Sequence, residues 1–235
     1  MAERPSPPLA PGEGVVVPPQ ELACLPAAAQ DCRYLLGRGY PRSATLTLVG
    51  NRYQLSAAVR EILQRGVFAP AVAQVRRRKL VHSDTLRGQP VALDGHNVVI
   101  TLECARRGIP VVAADDGFIR DIGRLSRQYR PSALTTAVVT QLVAYLVTQG
   151  LGPVQVWYDA PMSRSGELAA LTRALCREAG LPAEVHAVPV PEVPLVACGL
   201  TVASSDTQLI DQCRQLVDIA GELIRRDPAV AVLCC

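Results

Sequence analysis

The chain has 235 residues, 49% of them hydrophobic, which suffices for one substantial core, or for a core of about 150 residues with a smaller appendage. Its formal net charge of +3 permits a polynucleotide partner without requiring one, because such binding depends on local basic surface and not on the total. An aromatic content of 4% argues against a stacking platform for single strands, and eight cysteines with no CxxC pair argue against a disulfide framework and for buried free thiols.

Residues 1–19 hold six prolines and no apolar run of useful length, so they read as an extended or disordered arm and not as a secretory signal. Residues 20–87 are expected to form a small helical domain. Leu22, Leu25, Ala29, Cys32, Leu35 and Leu36 recur at three-to-four-residue steps, and Gly37 and Gly39 end that helix. A second helix is expected after Pro41, with Leu46, Val49 and Tyr53 on one face, and a third after Ser56, through Val59, Ile62 and Leu63. The three together outline a helix-turn-helix-like module. The run Arg76, Arg77, Arg78 and Lys79 follows, and is a candidate for nucleic-acid contact as well as an ordinary solvated linker.

From residue 88 to 235 short β-rich runs alternate with helical ones, the pattern of a mostly parallel sheet covered by helices. Strands are expected near 90–93, 110–114, 154–158, 183–187 and 200–203, and helices near 97–107, 118–129, 132–149, 166–179 and 207–226. The longest apolar segment, 134–147, is shorter than the ~20 residues needed to cross a bilayer and is interrupted by Thr and Gln, so a soluble cytoplasmic protein is expected.

Several expected strands end in a carboxylate: Leu93 leads into Asp94, Ala114 into Asp115 and Asp116, Tyr158 into Asp159, and Ala203 through two serines into Asp206. In a parallel sheet these ends share one edge, where ligands of α/β folds bind. A single such Asp is explained by helix capping or, for Asp116-Gly117, by a hairpin turn; four of them together suggest a shared site. Converging carboxylates repel and take up protons unless a cation neutralises them, and hard oxygen donors suit Mg²⁺ or Mn²⁺.

The segment Asp94-Gly95-His96-Asn97-Val98 resembles the opening D-G-x-N-V motif of PIN and NYN nucleases, and Val202-Ala203-Ser204-Ser205-Asp206 resembles their closing strand and S-x-D motif. Asp115-Asp116-Gly117-Phe118-Ile119 is similar to an acidic pair, followed by a helix, found in some NYN-like members. Landmarks such as Arg33-Tyr34-Leu35-Leu36-Gly37-Arg38-Gly39-Tyr40-Pro41 and Asp159-Ala160-Pro161-Met162-Ser163-Arg164-Ser165-Gly166-Glu167 make the chain, over about 20–220, similar to an uncharacterised bacterial and archaeal family with a helical part before a nuclease-like part. The resemblance implies a PIN-like Rossmann-type fold and a metal-dependent phosphodiester hydrolase, with RNA favoured over DNA. It makes Asp94 and Asp206 the first metal ligands, with Asn97 fixing a water or the first carboxylate, and Asp116 and Asp159 next. Asp115, Glu103 and Asp211 stand behind them, Glu103 as the candidate for the acidic position on the early helix.

Arg120 and Arg124, with Arg127 and Arg130, recur on the expected helix after the acidic pair and are further candidates for phosphate contact. His96 is expected to point outward or bond locally, and Trp157 to lie in the core. No GxxxxGK or GxGxxG occurs, and no Ser-His-Asp or Cys-His pattern stands out, which removes the main support for kinase, dehydrogenase and hydrolase readings of those types. Two alternatives to the nuclease remain: a non-catalytic module that binds nucleic acid or protein and carries a vestigial acidic edge, and a phosphoesterase for small molecules.

Overall fold

The computed structural model describes residues 17–123 and 129–235, so nearly all of the expected arm, and Arg124, lie outside the described residues. Four helices open the described chain: α1 (Pro19–Gly37), α2 (Arg42–Arg52), α3 (Ala57–Gly66) and α4 (Pro70–Arg77). Prolines in the first turns of α1 and α4 stand where their missing N–H is not needed by the helix. Ala73 of α4 packs with Phe68 and Ala114, while Leu25, Ala28, Ala29, Cys32, Val49, Val59, Ile62 and Leu63 form the shared core of α1, α2 and α3. Val112 and Ile122, from the segment beyond residue 88, belong to that same cluster, so the helices are seated on the α/β part.

The α/β part is built on a six-stranded sheet, parallel throughout, in the order β1-β8-β7-β2-β5-β6. Its strands are β1 (Leu80–Val81), β2 (Val91–Asp94), β5 (Val154–Asp159), β6 (Ala183–Val188), β7 (Thr201–Ala203) and β8 (Leu216–Val217). Helices cover both faces. On one side α5 (Gly95–Arg106), α6 (Ala133–Gln149), α7 (Ser165–Glu178) and α10 (Ile219–Arg225) pack around Leu93, Val156, Tyr158 and Ala203. On the other, α8 (Glu192–Ala197) and α9 (Thr207–Gln212) pack Leu195, Leu209 and Ile210 on Ala92, Val202 and Leu216. The α/β class with a parallel sheet flanked by helices is thus as the alternation of the sequence indicates.

A smaller sheet, ordered β4-β3-β9, lies beside the helical module: β3 (Val111–Ala113), β4 (Ile119–Asp121) and β9 (Val232–Cys234). Here the opening of the expected helix 118–129 is corrected to a strand, because β4 runs antiparallel to β3 with Ala113 opposite Ile119; 124–128, with Arg127, lie outside the described residues. The turn between them is closed by Gly117 N–H on Ala114 O at 2.9 Å, with Gly117 at φ +93°, the left-handed residue that a hairpin of this kind requires. The Asp-Gly pair is therefore turn chemistry. The expected helix 207–226 is also corrected: α9 ends at Gln212, β8 follows, and Asp218 caps a new helix, α10. A strand of two residues, Leu216–Val217 between Gln215 and Asp218, is too short to show an alternation.

Candidate functional site

The carboxyl ends of β7, β2, β5 and β6 lie side by side, with Leu93 opposite Ala203, Asp94 opposite Trp157, and Asp159 opposite Val188. Asp94 is the last residue of β2 and also caps α5, accepting the Asn97 N–H at 3.4 Å. Gly95 lets α5 start hard against β5, since a Cβ there would run into the Tyr158 ring. The local sequence thus serves close packing and places a carboxylate at the same time.

Ser204 joins the two outer motifs. Its hydroxyl donates to Asp94 Oδ2 at 2.9 Å and accepts the Asp206 N–H at 3.0 Å. Asp206 Oδ1 caps α9 through the N–H groups of Gln208 (2.8 Å) and Leu209 (3.2 Å), while its Oδ2 accepts no hydrogen bond from the described residues. Asn97 acts differently from the expectation: its side-chain oxygen accepts the Ser205 N–H at 2.8 Å and the Ser205 hydroxyl at 3.1 Å, so it clamps the loop carrying Asp206, while only its backbone touches Asp94.

Burial pushes the Asp94 carboxyl up to about 7, and the negative charges of Asp206 and Glu192 add to the rise against the hydrogen bonds from Ser204 and Asn97. Asp159 is raised as well, by burial and then by Glu192. Glu192, at the start of α8, is a member of this edge that sequence reasoning missed. Like the others it follows the end of a parallel strand, β6, but Pro189, Val190 and Pro191 intervene and disguise the relation. None of Asp94, Asp159, Glu192 and Asp206 forms an ion pair among the described residues.

His96 does not point outward. It is 5% exposed, its Nδ1 accepts the Asp159 N–H at 3.0 Å, and its ring meets those of Tyr158 and Tyr129 edge-on. Burial lowers its pKa to about 4, so the imidazole is neutral and positions the end of β5 without titrating near pH 7. Trp157 is partly buried on the sheet face and stacks on His186, with ring centroids 4.6 Å apart.

The remaining acidic candidates lie elsewhere. Asp116 is fully buried in the hairpin turn, held by Arg120 through two bonds of 2.7 and 2.8 Å and by Arg76 at 3.3 Å. It is not brought to Asp94, because the strand it follows belongs to the smaller sheet. Asp115 pairs with Arg33 at 2.7 Å and accepts the Phe68 N–H, tying the helical module to the hairpin. Glu103 is buried on α5 and saturated by Tyr129 (2.8 Å), Thr135 (2.6 Å) and Arg107 (2.8 Å). Asp211 is chelated by Arg76 through two bonds of 2.7 Å, which hold its pKa low.

Of the basic candidates, Arg76 and Arg120 are buried and engaged as described, and Arg120 also donates to Ser205 O at 2.8 Å. Arg77 bonds Asp115 O, Lys79 caps the end of α9 through Ile210 O and Asp211 O, and Arg78 is exposed. The run Arg76–Lys79 is consequently the end of α4 and its tether, with Arg77 and Arg78 exposed and only Arg77 of the two bonded to the hairpin.

Among the described residues no group of three or more His, Cys, Asp or Glu side chains is placed to hold a metal ion. Asp94 and Asp206 bear on each other electrostatically, and Oδ2 of Asp206 accepts no hydrogen bond from the described residues; a hard cation that keeps most of its waters needs only one or two such carboxylates. Asp206 also lines a cleft of about 660 Å³ between the helices and the sheet edge, together with Asn97, Ser205, Arg42, Arg65, Arg76 and Arg120.

The molecule is a doubly wound α/β protein with an acidic carboxyl edge, covered at one side by a four-helix unit. The chain belongs to the family described as a domain of unknown function, DUF5616, whose model matches residues 83–222. A second model, described as a protein of unknown function, DUF434, matches residues 24–79, and the two ranges meet at β1. The chain is 29% identical over 199 residues to the "Uncharacterized protein MJ0935" of Methanocaldococcus jannaschii, covering 84% of this chain and 95% of that one. No solved structure matches it significantly. No helix among the described residues is long and apolar enough to cross a membrane.

Proposed function

We propose that this protein is a divalent-metal-dependent phosphodiesterase of the PIN and NYN type acting on a polynucleotide, with RNA favoured over DNA. The observation that carries the reading is the acidic edge: Asp94, Asp159, Glu192 and Asp206 are gathered near adjacent strand ends with no cation paired to them among the described residues, and Asp94 is held near pKa 7. Unneutralised carboxylates are costly in a folded protein, and a bound Mg²⁺ or Mn²⁺ offsets that cost. The likeness of the Asp94 and Asp206 segments to the first and last PIN-type motifs points the same way.

Asp94 and Asp206 would hold the cation, with Asp159 and Glu192 bonded to its waters. Such an ion polarises a phosphoryl oxygen and lowers the pKa of an attacking water. Ser204 fixes the relation of the two ligands, Asn97 fixes the loop of the second, and His96 fixes the backbone of Asp159. At neutral pH Asp94 is partly protonated without the ion, so cation binding releases a proton.

Manganese titration by calorimetry, with cleavage of labelled single-stranded RNA in the same buffer, tests this on wild type and on the double variant Asp94→Asn, Asp206→Asn. Binding and cleavage that both vanish in the variant support the nuclease. Cation binding without cleavage of RNA or DNA points to a small phosphoester, and absence of wild-type binding leaves a non-catalytic module.

A further inference from the structure

The face opposite the carboxylates carries a second arrangement. Three guanidinium groups surround one ring: Arg42, Arg76 and Arg120 lie 4.7, 4.6 and 5.1 Å from the centroid of Phe68. Phe68 itself is buried and anchored by its N–H on Asp115 Oδ2 at 3.0 Å. The three arginines share two carboxylates, Asp116 and Asp211, and both are used by Arg76 and Arg120. Arg42 has no carboxylate within ion-pair distance among the described residues; its Nη2 reaches only the carbonyls of Gln64 and Leu63. Arg42, a half-buried group, is thus left without an ion-pair partner of its own among the described residues. Attraction to the ring offsets part of the repulsion between like charges, but supplies no counter-ion.

All three arginines line the same cleft as Asn97, Ser205 and Asp206. We propose that this cleft is a phosphate-binding subsite, in which Arg42 supplies the unneutralised guanidinium fork and Phe68 holds the arginines in place. A planar guanidinium with free N–H groups matches a phosphate oxyanion in shape and charge. Consistent with crowding by like charges, the Arg42 pKa is lowered by burial first and by Arg76 and Arg120 after it. An anion seated there shares the cleft with Asp206, so a phosphate of the ligand would lie in the same opening as that candidate cation ligand. The inference deepens the phosphodiesterase reading and rests on it only for the role of the bound phosphate, which belongs either to the end of a strand or to its backbone.

Inorganic phosphate and pyrophosphate are titrated into the full chain in the presence of EDTA, so that neither a metal nor cleavage enters. The variants are Arg42→Gln, Arg42→Lys and, because Arg42 also braces α3, Val72→Glu, which puts a negative charge on an exposed residue lining the cleft. Arg177→Gln, an exposed arginine on α7, controls for net charge. The expected result is pyrophosphate binding weakened at least tenfold in Arg42→Gln and Val72→Glu, less in Arg42→Lys, and unchanged in Arg177→Gln. Absence of wild-type binding, or equal loss in the control, overturns the subsite. Competition by single-stranded RNA with a 5′-phosphate against the same strand with a 5′-hydroxyl separates the sources: preference for the phosphorylated end assigns a terminal phosphate, and equal competition assigns the backbone. Phosphate binding that depends on Arg42 in a protein that cleaves nothing keeps the subsite and removes the nuclease. Cleavage with an unchanged KM in Val72→Glu does the reverse.

Discussion

Replacing Asp94 by Asn removes a carboxylate whose pKa stands at about 7 in the folded chain against about 3.9 when unfolded. Because the folded value is raised, the folded state binds more protons between those limits, and stability falls as pH rises through them. Below the unfolded value the group contributes nothing; above pH 7 the full penalty is present. With about 1.4 kcal/mol for each unit, the ionised carboxylate costs about 1.5 kcal/mol at pH 5 and about 4 kcal/mol at pH 8. Asp94→Asn, which keeps an oxygen for Ser204, is therefore more stable than wild type in EDTA, by a margin that grows by about 2–3 kcal/mol between these pH values.

The wild-type pH profile alone would hide this, since His96 acts in the opposite sense. Its pKa of about 4, against about 6.5 unfolded, means that the unfolded chain binds the extra proton between those values. From pH 5 to 8 that raises stability by about 2 kcal/mol, nearly cancelling Asp94. Both proteins carry His96, so the difference between them isolates the carboxylate. Urea unfolding at pH 5 and 8, each with EDTA, measures it. A margin that stays constant or shrinks toward pH 8 refutes the raised pKa, and with it the claim that the edge is electrostatically unsatisfied without a cation. Adding Mn²⁺ at pH 8 should then raise the unfolding midpoint of wild type and leave that of the variant in place.

Other consequences are testable in the same way. Glu192→Gln removes a charge that raises both Asp94 and Asp159, so both pKa values fall by NMR titration and manganese affinity drops several-fold. Asp116→Asn should cost about 3–5 kcal/mol in urea unfolding, because Arg120 and Arg76 lose a buried partner, yet leave manganese affinity unchanged. Gly95→Ala should cost about 1–3 kcal/mol, the usual range for overpacking, as its Cβ meets Tyr158; a neutral result would show that α5 has room to shift.

The sequence is most legible where an apolar run is both continuous and closed by an acid. β2 and β5 end directly in Asp94 and Asp159, and β7 leads through two serines into Asp206, so all three acids are legible from their place after a mostly apolar strand. β6 gave its strand but not its acid, because two prolines separate Val188 from Glu192. β8 gave neither, since two residues carry no period, and its terminal acid Asp218 is spent on capping α10 and on the Ile119 N–H at 2.8 Å. The arginines spaced along 120–130 suggested a helical face, whereas tertiary pairing with β3 makes Arg120 part of a strand. Arg42 carried no local signal, because its significance depends on Phe68, Arg76 and Arg120 arriving from three other elements.

Asp94 and Asp116 show why a strand-end acid cannot be interpreted by position alone. Both follow buried strands and both stand just before a glycine, Gly95 at the start of α5 and Gly117 in the hairpin turn. Asp116 meets two guanidinium groups and becomes a structural pin, its charge consumed within the protein. Asp94 meets a hydroxyl, a backbone amide and two other acids, and its charge remains uncompensated. The difference lies in which cations the fold delivers, and those same arginines line the cleft that Asp206 shares. On the proposed reading, Asp206 would help hold a cation there and Arg42 would take an anion, which is the charge distribution of a phosphate ester with its metal ion.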